Sequence, residues 1–419
     1  QSRDSLCWAL VEDSNLCHSE LLLHQYQESL TLIDAARRRA RPARSRLNTV
    51  GAWLDGPDLM RAVFRVISSA IAAGNEEIWI GLPEETHQFS GLLQLLLRPT
   101  ELGIRIVRSK RDPFIESCLG EVHTLLVRGE PRWVEGWEPV FARWGMRVHV
   151  EGPANDAILV FEDVDPSDAA QRILEAALRN SGRDPHAPHR IYAARGIHSQ
   201  LCEALIRRAR MFRLGPCIET ESELGPLPPN RIQRLLRDVE KAVEQGARLQ
   251  TGGEAKPCGP NENYGLPPTI LTGCRSDLAL VSSPVRGPIL AMIAFDEPED
   301  GIRRATIPRG GHAITLLGRA PEKTAELTAH FGRVFRDRGP LDESRYAEQI
   351  RWGSDARTSW IWVPMPDGRL ARRAGAHDLV DSLTPREERV HHPGVTPLSS
   401  DQRMVQGICG PDGLILLPG

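Results

Sequence analysis

The chain has 419 residues, 41% of them hydrophobic and 26% charged, enough apolar material for a large core and two or three domains. Its 52 basic and 55 acidic side chains leave a formal charge of −3, a balance that argues against broad nucleic-acid or membrane-surface binding. No stretch approaches the roughly 18 consecutive apolar residues of a membrane span.

Residues 1–45 read as a charged helical segment, clearest over 21–39, and the basic run 37–41 as its solvated face. Over 59–73 apolar residues recur at helical spacing and stop at Gly74-Asn75, the pattern of a glycine-capped helix. Short apolar strands are expected at 77–81, 103–107, 123–127 and 147–150, with a helix over 87–98. Strands alternating with helices predict a doubly wound, mostly parallel sheet. A second series begins with a buried strand at 157–161 and a helix starting at Asp165-Pro166-Ser167-Asp168. It continues with a strand at 191–194, amphipathic helices at 199–212 and 229–246, and a strand at 288–295. The last 70 or so residues are rich in Pro, Gly, Arg and His and weakly periodic, and read as an arm or tail. Within them, Trp360-Ile361-Trp362-Val363-Pro364 reads as a strand able to pair with a neighbour.

The eight cysteines, Cys7, Cys17, Cys118, Cys202, Cys217, Cys258, Cys274 and Cys409, are scattered with no CxxC pair. Such spacing suggests reduced thiols of a cytoplasmic protein rather than a disulfide frame or a zinc site. The N-terminus shows no signal peptide, and a chain beginning at Gln1 is expected to be processed, trimmed or cut from a longer polypeptide.

The stretch from Pro226 to Leu271 carries the most specific motif. Gln245-Gly246-Ala247-Arg248-Leu249-Gln250-Thr251-Gly252-Gly253, followed by Tyr264-Gly265-Leu266-Pro267-Pro268-Thr269-Ile270-Leu271, resembles the "GA-x-x-x-x-GG … PTIL" run of the aldehyde dehydrogenase superfamily. Ala72-Ala73-Gly74-Asn75, Asn155 to Asp165 and Gly287-Pro288-Ile289-Leu290 resemble further segments of it, so that the likeness covers roughly residues 55–340. The resemblance implies a Rossmann-like nucleotide domain over 46–150 and a second, catalytic α/β domain over 151–340, with the helical segment 1–45 before them and the tail 341–419 after.

Family chemistry needs a thiolate to add to the aldehyde, a glutamate base, an oxyanion donor pair and a nicotinamide site. The glutamate position matches Glu151, here in Glu151-Gly152-Pro153-Ala154. The nucleophile motif, normally Asn-x-Gly-Gln-x-Cys, is Asn180-Ser181-Gly182-Arg183-Asp184-Pro185, with the family's own interval of 34 positions from Glu151 to Pro185. Proline brings neither a thiol nor an N–H donor. The oxyanion Asn is absent from Leu54-Asp55-Gly56-Pro57-Asp58, the cofactor lysine falls at Leu82, and the second ribose glutamate at Pro284, with Arg286 for the following Phe. Two remnants are left on the cofactor side: Glu85, able to meet an adenosine ribose, and Gly129 of Arg128-Gly129-Glu130, in place of the pyrophosphate turn. On this reading no cofactor is expected, and the chain is a degenerate member with a structural or interaction role, self-associating or docking on an active aldehyde-dehydrogenase-type partner. The competing reading is a divergent NAD- or NADP-dependent aldehyde oxidoreductase with a rebuilt site.

Other residues carry two readings each. Glu151 is a remnant base or a salt-bridged carboxylate. Cys202, on the helix after the motif, is an inert core thiol or a displaced nucleophile. His186 and His189 have H-x-x-H spacing but flank helix-breaking prolines and lack an evident third ligand. Trp133, Trp137 and Trp144 are packing residues or a stacking platform, Arg183-Asp184 is a local ion pair or an anion site, and His391-His392 is a solvated loop.

Overall fold

The alternation of apolar strands and amphipathic helices resolves into two seven-stranded sheets. The structure, a computed structural model, describes residues 2–14, 16–40, 49–98, 103–259, 263–308, 311–321, 327, 330–331, 333–337, 351–352, 359–373 and 377–383. The chain opens with α1 (Ser2–Ser14), α2 (His18–Glu20), a π-helical stretch (Leu21–Tyr26) and α3 (Gln27–Arg38). Then come β1 (Thr49–Trp53), α4 (Leu59–Ala72), β2 (Glu77–Leu82), α5 (His87–Leu97), β3 (Gly103–Arg108), α6 (Arg111–Cys118), β4 (Thr124–Arg128), α7 (Pro131–Glu135), α8 (Glu138–Arg143) and β5 (Arg147–Glu151). These five strands lie parallel in the order β3-β2-β1-β4-β5, so the winding direction reverses between β1 and β4. A reversal of this kind opens a crevice at the carboxyl ends of the two strands.

Sequence reading missed β1, the middle strand of this sheet. Gly51 interrupts its apolar run, and the reason is spatial: a Cβ there would lie 3.1 Å from Cys118 Sγ and 3.1 Å from Leu125 Cδ1. The N-terminal helices pack directly on this half, where Leu6, Leu10, Leu21 and Leu32 share one core with Met60, Val63 and Ile67 of α4. Arg37 and Arg38 of the basic run end α3, both exposed, with Arg38 paired to Asp34 one turn back at 2.5 Å.

The second sheet draws on β6 (Ala157–Val160), α9 (Pro166–Ala177), β7 (Arg190–Ala194), α10 (Arg195–Ala209), α11 (Pro229–Glu244), β8 (Arg248–Thr251), β9 (Lys256–Pro257), β10 (Tyr264–Gly265), β11 (Thr269–Thr272), α12 (Ala279–Ser282), β12 (Ile289–Phe295), α13 (Pro298–Thr306), β13 (Ala313–Leu317) and β14 (Arg333–Arg336). Its order is β14-β13-β6-β7-β12-β11-β8, parallel except for β8, and β9 pairs with β10 as a separate ribbon. Asp165 caps α9 as expected, accepting the Asp168 N–H at 2.8 Å with Pro166 in the first turn.

Part of the stretch read as an arm or tail, the described residues 359–373, lies in the first sheet, and the strand read over 360–364 is among them. After β15 (Arg351–Trp352), β16 (Ser359–Pro364) pairs antiparallel with β5 and β17 (Leu370–Arg373) with β16, so both extend the first sheet. Trp360 and Trp362, two apart on one strand face, are fully buried with ring centroids 5.3 Å apart, and Trp362 reaches Phe141 of α8 at 6.0 Å. Two indoles supply more buried area than the flanking Pro and Arg residues can undo. After β18 (His377–Asp378), the short α14 (Leu379–Leu383) docks on the end of α4, where Asn75 Nδ2 donates to the Leu383 carbonyl at 2.9 Å. His391-His392 lies outside the described residues.

Candidate functional site

At the β1/β4 switch point the structure gathers the segments singled out in the sequence. Asp55, Gly56 and Pro57 after β1, Arg128 and Gly129 at the end of β4, Glu151 to Ala154 at the end of β5, Arg183 to Pro185 after α9, and Val285-Arg286 before β12 line one crevice. Its volume is about 70 Å³, against the roughly 300–1,000 Å³ of an ordinary small-molecule pocket.

The turn that carries Pro185 is strained. Asn180, Ser181 and Gly182 all adopt left-handed backbone, with φ of 51°, 56° and 72°, a conformation that costs a non-glycine residue of order 1 kcal/mol or more. Surrounding contacts hold it there: Ser181 Oγ accepts the Gly225 N–H at 2.9 Å, and Gln25 Nε2 donates to Asn180 Oδ1 at 3.3 Å. A Cβ on Gly182 would stand 2.3 Å from the Gly287 carbonyl carbon, so the loop is pressed against the segment before β12. At its end, Pro185 offers neither sulfur nor N–H to the crevice.

Behind the crevice the space is filled by charge. Arg61 and Arg65, one turn apart on α4, project from an otherwise apolar helix face. Arg65 Nη2 donates to both oxygens of Glu151 at 2.6 and 2.5 Å, and Arg128 Nε lies 3.7 Å from Glu151. Arg128 also forks onto Asp58 at 3.0 and 3.1 Å. Arg61 reaches Glu28 of α3 at 2.7 Å, Asp58 at 2.9 Å and Asp184 at 3.1 Å. Arg179 closes the array by pairing with Glu28 and lying 4.0 Å from Asp184. All eight side chains are buried, four cations against four anions. Burial alone would raise the Asp58 and Asp184 carboxyls, but Arg128 and Arg61 at the first, and Arg61 and Arg179 at the second, outweigh it and hold both below the ordinary carboxylate range. Burial likewise opposes the charge of Arg128, and Asp58 and Glu151 more than restore it.

Glu151 is therefore a buried, salt-bridged carboxylate in the first layer of this array. Arg183 and Asp184 do not form the local pair expected of them: Asp184 turns to Arg61 and Arg179, while Arg183 donates to the Asn180 carbonyl at 2.9 Å and is lowered by burial to about 10. Cys202 is buried in the α9–α10 core and its thiol is raised by burial, as for an inert core residue. His189, lowered to about 4 by burial, lies with Nδ1 3.2 Å from the Ile289 carbonyl, and His186 Nδ1 is 3.9 Å from Asp156. No cluster of three metal-ligating side chains occurs among the described residues. Trp133 and Trp137, their rings tilted with centroids 6.3 Å apart, pack against the first-sheet core, with the Arg111 guanidinium 3.3 Å from the Trp133 ring centroid.

The cofactor side is poorly matched to a dinucleotide. The Gly129 N–H, which would face a pyrophosphate, donates to the Glu151 carbonyl at 3.1 Å. Glu130 follows it and pairs across the crevice mouth with Arg286 at 3.8 Å, and Pro131 starts a helix of only five residues. Arg128 is committed to Asp58 and Glu151, and Glu85 sits exposed on the turn after β2. The residues that sequence reading missed, Glu28, Arg61, Arg65 and Arg179, had one signal among them: two arginines four apart inside an apolar helical run.

A model of the aldehyde dehydrogenase family matches residues 140–332. Betaine aldehyde dehydrogenase of Bacillus subtilis (strain 168) is 31% identical over 200 residues, 46% of this chain and 40% of that protein. Lactaldehyde dehydrogenase of Escherichia coli (strain K12) is 31% identical over 149 residues, 35% of this chain and 30% of that protein. The matched region thus spans about two fifths or less of these curated relatives. Among solved structures, lactaldehyde dehydrogenase from Escherichia coli superposes with a TM-score of 0.73 at 20% identity over 91% of this chain and 81% of that one. An NAD+ complex of aldehyde dehydrogenase from Bacillus cereus gives 0.74 at 19% identity over 91% and 79%. Residues 140–332 thus match the aldehyde dehydrogenase family, and the two α/β halves share the fold of these solved structures.

Proposed function

We propose that this protein is a catalytically inactive aldehyde-dehydrogenase-like protein with a structural or interaction role, exercised by self-association or by docking on an active aldehyde-dehydrogenase-type partner. One observation carries the reading: the crevice that would hold the reacting carbonyl presents Pro185, and the charged groups behind it pair with one another. A thiohemiacetal needs a thiolate at that point, and a general base needs a carboxylate free to accept a proton, whereas Glu151 accepts two hydrogen bonds from Arg65. The seven described cysteines, all buried, support a reducing compartment such as the cytoplasm.

The test is cofactor binding and turnover. A ligand selective for the native state stabilises it by about 2.7 kcal/mol at a hundredfold excess over its Kd. The expected result is no thermal shift with millimolar NAD or NADP and no aldehyde-dependent cofactor reduction. Turnover that Glu151→Gln abolishes would overturn the proposal in favour of a divergent NAD(P)-dependent aldehyde oxidoreductase with a rebuilt site. The structural role is read by sedimentation velocity of the purified chain alone and mixed with an active aldehyde dehydrogenase; a monomer in both would remove it.

A further inference from the structure

Outside the crevice, one pair of nucleophilic side chains is brought together from positions 17 and 217 of the chain. Cys17, just before α2, and Cys217, in the loop after α10, are in side-chain hydrogen-bond contact. The backbones run side by side there: the His18 N–H donates to the Cys217 carbonyl at 3.2 Å, and Ser19 Oγ donates to the Ser222 carbonyl at 3.0 Å. Both thiols are buried in the core that joins the N-terminal helices to α4. A third thiol, Cys258, lies buried close enough for Cys217 to act on it. Arg183, in the loop that carries Pro185, contributes a buried guanidinium that acts on both Cys17 and Cys217. Ser19 and Thr220, two and three positions along the chain from these cysteines, line a groove of about 780 Å³.

We propose that Cys17 and Cys217 form a redox-active dithiol that a peroxide closes to a disulfide, with Cys217 as the attacking sulfur and Arg183 as the residue that positions charge beside it. The electrostatics agree with the geometry. The hydrogen bond from Cys17, and after it the Arg183 guanidinium, hold the Cys217 thiol below its ordinary value against the burial that pushes it up, while Cys17 is driven far upward. A thiolate is the reactive form. The Cys217 thiolate attacks one peroxide oxygen, the O–O bond breaks, and the leaving hydroxide takes up a proton as water. Cys217 is then a sulfenic acid. Cys17 attacks that sulfur, the S–S bond forms, the S–O bond breaks, and the hydroxyl leaves as water with the Cys17 proton. The two sulfurs together lose two electrons and the peroxide gains them.

The experiment treats the purified full chain with hydrogen peroxide, blocks remaining thiols with N-ethylmaleimide and maps the digest by mass spectrometry. The expected product is a Cys17–Cys217 cross-linked peptide lighter by two hydrogens and lost on dithiothreitol treatment, with Cys118 and Cys274 still alkylated. It should vanish in Cys17→Ser and in Cys217→Ser. Because these read the same chemistry as the wild-type digest, the digest alone decides if either variant fails to fold. Reaction of Cys217 with methyl methanethiosulfonate should slow by about tenfold in Arg183→Gln and recover in part in Arg183→Lys, because loss of the cation depletes the reactive thiolate. Cys17 and Cys217 both recovered as free thiols after peroxide, or a cross-link from Cys217 to Cys258 instead, would overturn the assignment.

Discussion

Replacing Arg65 by methionine removes one partner of the Arg65–Glu151 pair and leaves a carboxylate in a dry interior. Breaking a fully buried ion pair in this way costs about 3–5 kcal/mol. Glu151 retains Arg128 at 3.7 Å and His149 at 4.0 Å, so the expected loss sits near the lower end, about 3 kcal/mol. Glu151→Leu strands Arg65 and should cost a similar amount, since Arg128 keeps its fork on Asp58. The double variant Arg65→Met/Glu151→Leu removes both charges and replaces them with apolar volume, which is often neutral or stabilising. It should return most of the loss, giving a coupling energy of about 2 kcal/mol or more. The assay is urea unfolding at neutral pH followed by tryptophan fluorescence on the four proteins. Single variants each within about 0.5 kcal/mol of the parent, with an additive double, would refute the view that Glu151 is held as a structural carboxylate. The same cycle separates the two readings of Glu151, because a general base can be removed with large loss of turnover and little loss of stability.

Acid should weaken the protein in two stages. His189 and His312 are lowered to about 4 and about 3, chiefly by burial, so their contribution is complete above the ordinary histidine pKa near 6.5 and is lost as pH falls toward those values. Asp58 and Asp184 are held down by their arginines, so theirs is complete above about pH 4 and is lost below it; stability measured from pH 7 to pH 3 should fall throughout, and His189→Gln with His312→Gln should flatten the upper part alone. Trp360→Ala should cost about 3–5 kcal/mol, because its indole is fully buried in the first-sheet core beside Trp362; a loss under about 1 kcal/mol in urea unfolding would return residues 359–373 to the status of a tail. Gly182→Ala should cost more than about 2 kcal/mol, since its φ is 72° and the new methyl would overlap the Gly287 carbonyl, and wild-type stability in that variant would show that the loop can relax.

Much of the architecture was legible because period and punctuation agreed. The 59–73 run stops at Gly74 and the Asp165 cap opens α9, as the residues demanded. β1 was not legible, because a glycine chosen for close approach of Cys118 and Leu125 hides a central strand among polar neighbours. The strand at 360–364 was legible, but its place in the first sheet was not, because the composition around it is that of a loop while two indoles decide the packing. At the candidate site, the spacing of Glu151 and Pro185 was enough to bring both to one crevice. The partners of Glu151 were hidden, since nothing in sequence distance ties residue 28 or 65 to 151 or 184; only the fold brings them within 3.1 Å of their counter-ions.

The buried charge array also constrains how this sequence can drift. Its arginines and carboxylates come from α3, α4, β4, β5 and the turn after α9, and each change of one leaves an odd charge with no water to answer it. Substitution at these positions is therefore tolerable chiefly in compensating pairs. In a family of orthologous chains, positions 61 with 28, 65 with 151 and 128 with 58 should be retained together or replaced together, even where the surface around them varies freely.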